Sequence, residues 1–259
     1  MRETNSYYKG KSAIRLNRFV ASCLGIARRK AEDVIRGGKI CVNGKAVTHP
    51  GYVVTLDKDV VEMDGRKLKL PDKRLWYALN KPPGFICTVL DPQGRPTIMD
   101  LIPGDLLGKV FPVGRLDFMS RGLLLLTNDG VLANAILHPS RGVEKEYHVL
   151  VIGKIDQEAI RRAAMGVSIG YAQKARAEIS VLRAFGARQQ LRVVIHEGRK
   201  HIVRQLLGAF GLQVEDLCRV RIGPIYIGNL QEGNIRRLSP REICLLESSV
   251  NKAPWSHAS

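Results

Sequence analysis

Gly114-Arg115-Leu116-Asp117-Phe118-Met119-Ser120-Arg121-Gly122-Leu123-Leu124-Leu125-Leu126-Thr127-Asn128-Asp129-Gly130 is the stretch whose reading decides the fold. Four consecutive leucines between Gly122 and a Thr-Asn-Asp-Gly cluster describe a short strand buried on both faces, because a half-exposed strand would alternate with polar residues. Asp117 falls in the loop entering that strand, with Arg115 and Arg121 close in sequence. An acid at the mouth of a buried element and beside cations can stay ionised while aimed at a ligand. A turn aspartate in a surface ion pair accounts for the same residues, and both readings stand at this level.

Downstream of this strand, Asn128 or Asp129 can cap a helix over 131–137 that stops at His138-Pro139. Residues 145–152 read as a strand and 155–165 as a helix. Residues 174–185 and 189–196 alternate well enough for an antiparallel pair joined around Gly186. A helix over 200–210, strands around 213–227 and a last helix from Ser239 follow. Upstream, 75–80 is a strand, Lys81-Pro82-Pro83-Gly84 forces a turn, a second strand runs from Phe85, and Thr97 can cap a short helix reaching Leu101. This order is no regular βαβα repeat, and no G-x-G-x-x-G follows a strand. The expected fold class is α+β, on a mixed, mainly antiparallel sheet.

The N-terminal part has a different character. Leu16, Phe19, Val20, Cys23 and Leu24 share one helix face, with Gly25 as the stop. A second helix spans 28–36, with Ala31, Val34 and Ile35 inward. Residues 39–42 form a strand, and Asn43-Gly44 is a hairpin signal leading into 45–47. Expected boundaries are a disordered lead-in at 1–13, a first domain at 14–65 closed by Asp64-Gly65, a linker at 66–74, a second domain at 75–247 and a disordered tail at 248–259.

The formal net charge of the 259 residues is +17. Folding does not require such an excess, which points to a polyanionic partner: nucleic acid first, an anionic membrane surface second. The first 70 residues hold 15 Lys/Arg against 7 Asp/Glu, the remaining 189 hold 26 against 17, so the basic surface is concentrated at the front. Arg15, Arg18, Arg28, Arg29, Lys30, Arg36 and Lys39 lie off the apolar positions and can form one exposed RNA- or DNA-binding face. No apolar run is long enough to span a bilayer and 1–11 is polar where a secretory signal is apolar, so a cytoplasmic protein without membrane attachment is expected. Five scattered cysteines without a C-x-x-C pair and six histidines without ligand spacing give no disulfide framework and no metal site.

The segment 14–64 resembles an S4 RNA-binding domain in Arg15-Leu16-Asn17-Arg18-Phe19, in Ala27-Arg28-Arg29-Lys30-Ala31-Glu32 and in Gly38-Lys39-Ile40-Cys41-Val42-Asn43-Gly44; Ala27 stands where that family usually has serine. The Gly114–Gly130 block, Lys145-Glu146-Tyr147-His148-Val149 and Glu197-Gly198-Arg199-Lys200-His201-Ile202-Val203-Arg204-Gln205-Leu206-Leu207 together resemble a pseudouridine synthase of the RsuA/RluB type, over most of 14–245. The resemblance implies that Asp117 is the catalytic aspartate, Tyr147 the tyrosine beside the uracil and Arg204 the basic partner of Asp117. Arg115 would help displace the target nucleotide and Leu206 would lie beneath the base. It also implies a cofactor-free isomerisation of uridine in ribosomal RNA, more specifically large-subunit RNA, by a monomer acting on free RNA or a precursor particle. Without the resemblance, Tyr147 is also readable as a core residue and Arg204 as a surface charge. A non-catalytic S4-type RNA-binding or ribosome-assembly protein is the alternative; an S4-linked methyltransferase lacks the glycine-rich cofactor loop it would need.

Overall fold

A computed structural model describes residues 13–26, 28–56, 58–70, 74–88, 91–169 and 173–251. Ala27, most of the lead-in and residues 252–259 of the tail lie outside the described residues. The described residues fall into two compact units, one within 1–76, 103–111 and 126–131, the other within 77–102, 112–125 and 132–259.

In the first unit, β1 (Ala13–Arg15) leads into α1 (Leu16–Leu24) and α2 (Arg28–Arg36). Then come β2 (Ile40–Val42), β3 (Lys45–Ala46), β4 (Val53–Thr55), β5 (Val61–Met63) and β6 (Arg66–Lys67). The strands pair as β1-β4 and as β3-β2-β5-β6. Leu16, Phe19 and Val20 of α1, Ala31 and Ile35 of α2, and Ile40, Val42, Val54 and Val61 make one apolar core. Asn43 and Gly44 take φ of 52° and 75° in the turn between β2 and β3, which a primed hairpin turn requires at both central residues. Asp64 and Gly65 repeat this at 48° and 75°. They therefore make a second hairpin instead of closing the domain, and Arg66 and Lys67, expected in the linker, are its second strand.

The remaining strands are β7 (Trp76–Lys81), β8 (Phe111–Val113), β9 (Arg121–Thr127), β10 (Lys145–Ile152), β11 (Val167–Ile169), β12 (Gln173–Ala175), β13 (Glu178–Phe185), β14 (Arg188–Ile195), β15 (Gln213–Ile222), β16 (Ile225–Tyr226) and β17 (Ile235–Arg237). The helices are α3 (Gly130–Leu137), α4 (Gln157–Met165), α5 (Ile202–Gly208) and α6 (Pro240–Asn251). Seven strands run in the order β13-β14-β10-β15-β9-β7-β17, with β16 beside β15 and β8 beside β9. The β15–β9 pairing is parallel, while β13–β14, β14–β10, β10–β15, β15–β16 and β7–β17 are antiparallel. The fold is thus the α+β, mainly antiparallel arrangement expected.

Leu123 to Leu126 of β9 are fully buried, each contributing about 1.5–3 kcal/mol over the exposed state. No strand starts at Phe85. Ile86 instead exchanges backbone bonds across Thr97, donating to the Pro96 carbonyl and accepting from Ile98, the first residue of the short helix Ile98–Leu101 that Thr97 caps as expected. The strand expected over 174–185 is divided, because β12 pairs with β11 and only β13 joins the large sheet. Helix α6 continues into the expected tail as far as Asn251, with Leu246 and Val250 buried on its inner face.

Candidate active site

The loop carrying Asp117 is fixed by a lysine. Lys81, at the end of β7 and 0% exposed, donates from Nζ to the carbonyls of Asp117 at 3.2 Å, Phe118 at 3.2 Å and Ser120 at 2.7 Å, and to that of Pro82 at 3.0 Å. Ser120 N donates to the Asp117 carbonyl at 3.1 Å and Gly84 N to that of Phe118 at 2.9 Å. The Pro82-Pro83-Gly84 turn and the 117–120 turn are thereby tied together. Burial pushes the Lys81 ammonium below its ordinary range, against the attraction of Cys87 and the Asp117 carboxylate; Arg219 pushes it further down.

The carboxylate is held from the other side. Asp117 Oδ1 lies 3.2 Å from His201 Nε2. His201 immediately precedes α5 with φ of 57° and makes no side-chain cap to the helix. A non-glycine residue in the left-handed region costs roughly 1–2 kcal/mol. Here that conformation accompanies a ring turned to the carboxylate instead of to the helix. It also explains why α5 begins at Ile202 and not at Lys200.

Three strands place the tyrosine. Tyr147 on β10 is buried and stands opposite Arg219 on β15, which stands opposite Gly122 on β9. Neighbouring strands are about 4.8 Å apart, so this transverse row runs from the tyrosine to the strand that Asp117 leads into. Gly122 has φ of 104°, and a Cβ there would lie 2.3 Å from the Arg219 carbonyl oxygen. The close approach of β9 to β15 accordingly demands glycine.

Two more buried cations accompany Lys81. Arg219, 5% exposed, donates from Nε to the Leu123 carbonyl at 2.8 Å. Lys145, 4% exposed, donates to the Val143 carbonyl at 2.9 Å and lies 3.5 Å from that of Ile136. Burial, helped by Arg219, lowers Lys145 to about 8, while Glu197 works in the opposite sense. Positive charge of this kind, kept out of water, favours anionic groups nearby.

The residues expected from the sequence are distributed as follows. Asp117 is brought to the start of α5, the helix that carries Arg204 and the fully buried Leu206. The expected Arg204–Asp117 pairing is replaced: His201 pairs with the carboxylate, and Arg204 Nη1 donates to the Val214 carbonyl on β15 at 3.2 Å. Arg115 is exposed two residues before Asp117, and Arg121 is occupied by Asp216 at 2.8 Å and Glu232 at 3.0 Å. In the first unit, Arg15, Arg18 and Arg28 line one cavity of about 480 Å³ whose walls include Ile14 and Val53; Asp117 is not part of it. Arg28 and Arg36 also reach Glu32, at 3.5 and 3.7 Å. Arg29, Lys30, Arg36 and Lys39 are exposed.

Lys81, His201 and Arg219 join the site only in three dimensions. A lysine ending an otherwise apolar strand was the available signal for Lys81. His201 lies within the 197–207 motif, but nothing in its spacing foretells its left-handed backbone conformation.

A carboxylate fixed through backbone and side chain, in a chain that also carries an arginine-rich unit, is the arrangement an enzyme acting on nucleic acid would use. Residues 76–209 match the RNA pseudouridylate synthase family and residues 14–61 match the S4 domain. The chain belongs to the RNA pseudouridylate synthase family, with an S4 domain ahead of the catalytic one, and is an isomerase. It is 42% identical over 240 residues to an uncharacterized RNA pseudouridine synthase of Aquifex aeolicus, covering 92% of this chain and 95% of that one. It is 35% identical over 231 residues to ribosomal large subunit pseudouridine synthase B of Bacillus subtilis, covering 88% and 93%. A crystal structure of a pseudouridylate synthase, 30% identical, superposes with a TM-score of 0.66 over 90% of this chain and 99% of that one. These findings favour the catalytic reading over the non-catalytic S4-type alternative.

Proposed function

We propose that this enzyme converts a specific uridine of large-subunit ribosomal RNA to pseudouridine, in the cytoplasm, as a monomer and without a cofactor. The observation that carries the choice of RNA is the similarity to the Bacillus subtilis large-subunit enzyme over nearly its whole length. The reaction breaks the N1–C1′ bond, turns the uracil and joins C5 to C1′; the C5 proton leaves to solvent and N1 takes up a proton from solvent in exchange. Atoms balance without an oxidant or donor, so the protein need supply only positioning, charge and a protected pocket.

In this reading Asp117 acts on the sugar, either by trapping the electron-poor C1′ or by taking a sugar proton. Lys81 fixes its backbone, and His201 holds the carboxylate until the nucleotide arrives. Tyr147 offers a ring face and hydroxyl to the extruded uracil, with Leu206 below it. Arg115 contacts the displaced nucleotide, and Arg204, three residues after His201, adds positive charge on the α5 side. Arg15, Arg18, Arg28, Arg29, Lys30, Arg36 and Lys39 of the S4 unit bind phosphates and set affinity.

The test is substrate selectivity in vitro. Purified protein is incubated with ribosomal RNAs tritiated at uridine C5, after chelation and dialysis. Stoichiometric tritium release from large-subunit RNA, with little from small-subunit RNA, is expected. Release confined to small-subunit RNA, or dependent on an added metal or nucleotide, would overturn the proposal.

A further inference from the structure

Among the described residues three non-glycine positions have positive φ: Asn43, Asp64 and His201. Asn43 and Asp64 each precede a glycine in a hairpin turn, and both residue types tolerate that conformation. His201 has no such turn. It precedes α5 directly, and its ring makes no cap to the helix. The backbone on either side is held firmly. Gln205 N donates to the His201 carbonyl at 2.9 Å, and Ile202 and Val203, next in the chain, are buried. Upstream, Arg199 donates to the Lys174 carbonyl at 2.6 Å and to the Glu197 carboxylate at 2.8 Å.

The fold gains little from this arrangement. An ion pair between side chains 44% and 36% exposed stabilises by less than the left-handed backbone costs. The approach of His201 Nε2 to Asp117 Oδ1 at 3.2 Å is therefore not explained by stability. Strain of this kind is found where a fixed geometry serves function.

We infer, taking Asp117 as the reacting carboxylate, that His201 is a positioning residue for the isomerisation: it holds one carboxylate oxygen so that the other is presented to C1′ of the target uridine. A carboxylate can turn about its own side-chain bonds even when its backbone is fixed. Lys81 restrains only the backbone, through the carbonyls of Asp117, Phe118 and Ser120. A restraint on the side chain is needed as well, because a misplacement of about 1 Å can slow a reaction by about 10²-fold. The left-handed turn sets the direction of the His201 Cα–Cβ bond, and the buried start of α5 keeps it there. Arg204, three residues on, is turned to the Val214 carbonyl at 3.2 Å and leaves this task to His201 in the free enzyme.

The test removes the ring and keeps the backbone. His201→Gly retains the left-handed turn without steric cost. It should lower kcat on ribosomal RNA by roughly 10- to 100-fold. KM should stay within about threefold of wild type, since the ring orients a reacting group and does not bind RNA. The melting temperature should be at or near that of the wild type. A wild-type kcat in this variant, or a loss carried by KM alone, would overturn the inference. Nitrogen-15 NMR of the wild-type ring decides the matter even if the variant folds poorly: Nε2 of His201 should carry a proton, and a bare Nε2 could not hold a carboxylate oxygen. Asp117→Asn, run alongside, separates this from failure of the underlying assignment, because activity in that variant would remove the reacting carboxylate itself, whatever His201→Gly does.

Discussion

Asp117→Asn is expected to leave the protein folded and to release no detectable tritium from ribosomal RNA labelled at uridine C5. The fold should survive because Lys81 bonds to the carbonyls of Asp117, Phe118 and Ser120, not to the side chain. An amide keeps the size of the carboxyl and can still meet the His201 ring, which lies 3.2 Å from the native Oδ1. What the amide lacks is a full negative charge that could trap C1′ or accept a sugar proton. Loss of a reacting carboxylate or nucleophile typically lowers turnover by about 10⁴-fold or more. The assay is tritium release at saturating RNA, with circular dichroism and thermal melting as the fold controls. Turnover within tenfold of wild type would remove Asp117 from the chemistry.

Gly122→Ala should have the largest effect on stability. The new Cβ would lie 2.3 Å from the Arg219 carbonyl oxygen and 2.7 Å from its amide nitrogen, at a φ of 104° that L side chains rarely adopt. Both atoms are backbone, so no side chain can rotate away. Relief requires β9 to separate from β15, which breaks their parallel pairing and the row reaching Tyr147. The expected cost is at least about 4 kcal/mol, the range reserved for steric conflict in a core. In a protein of this size that lowers Tm by roughly 8–16 °C. Gly104→Ala is the matched control, since nothing lies within 4 Å of a Cβ there. Equal melting temperatures for the two variants would contradict the close β9–β15 approach.

The contrast between these two positions shows what a sequence can disclose. The four leucines announced β9 because burial on both faces leaves a continuous apolar run, and the Asn43-Gly44 hairpin announced itself through residues that tolerate positive φ. Asp64-Gly65 carries the same chemistry, yet Arg66 and Lys67 are both polar, so no apolar pattern separated a short exposed strand from a linker. The absent strand at Phe85 failed for a different reason. Its backbone bonds go across Thr97 to Pro96 and Ile98, a long-range choice that local propensity does not encode.

The site was legible in part. Asp117, Tyr147 and α5 stood out through motifs, but the pairing of Asp117 with His201 in place of Arg204 depends on one left-handed residue, and a histidine in that conformation leaves no periodic trace. Lys81 read as the start of a turn because lysine is seldom fully buried. Only the three-dimensional arrangement shows several carbonyls converging on its ammonium. Arg219 was hidden within a strand for the same reason, since its role comes from the strands on either side of it.

The most direct test of the account is a pseudouridine map of ribosomal RNA from cells lacking this protein, complemented by the wild-type chain or by Asp117→Asn. The predicted result is the loss of pseudouridine at one or a few large-subunit positions, restored by the wild type and not by the variant. An unchanged map, or full restoration by Asp117→Asn, would contradict it.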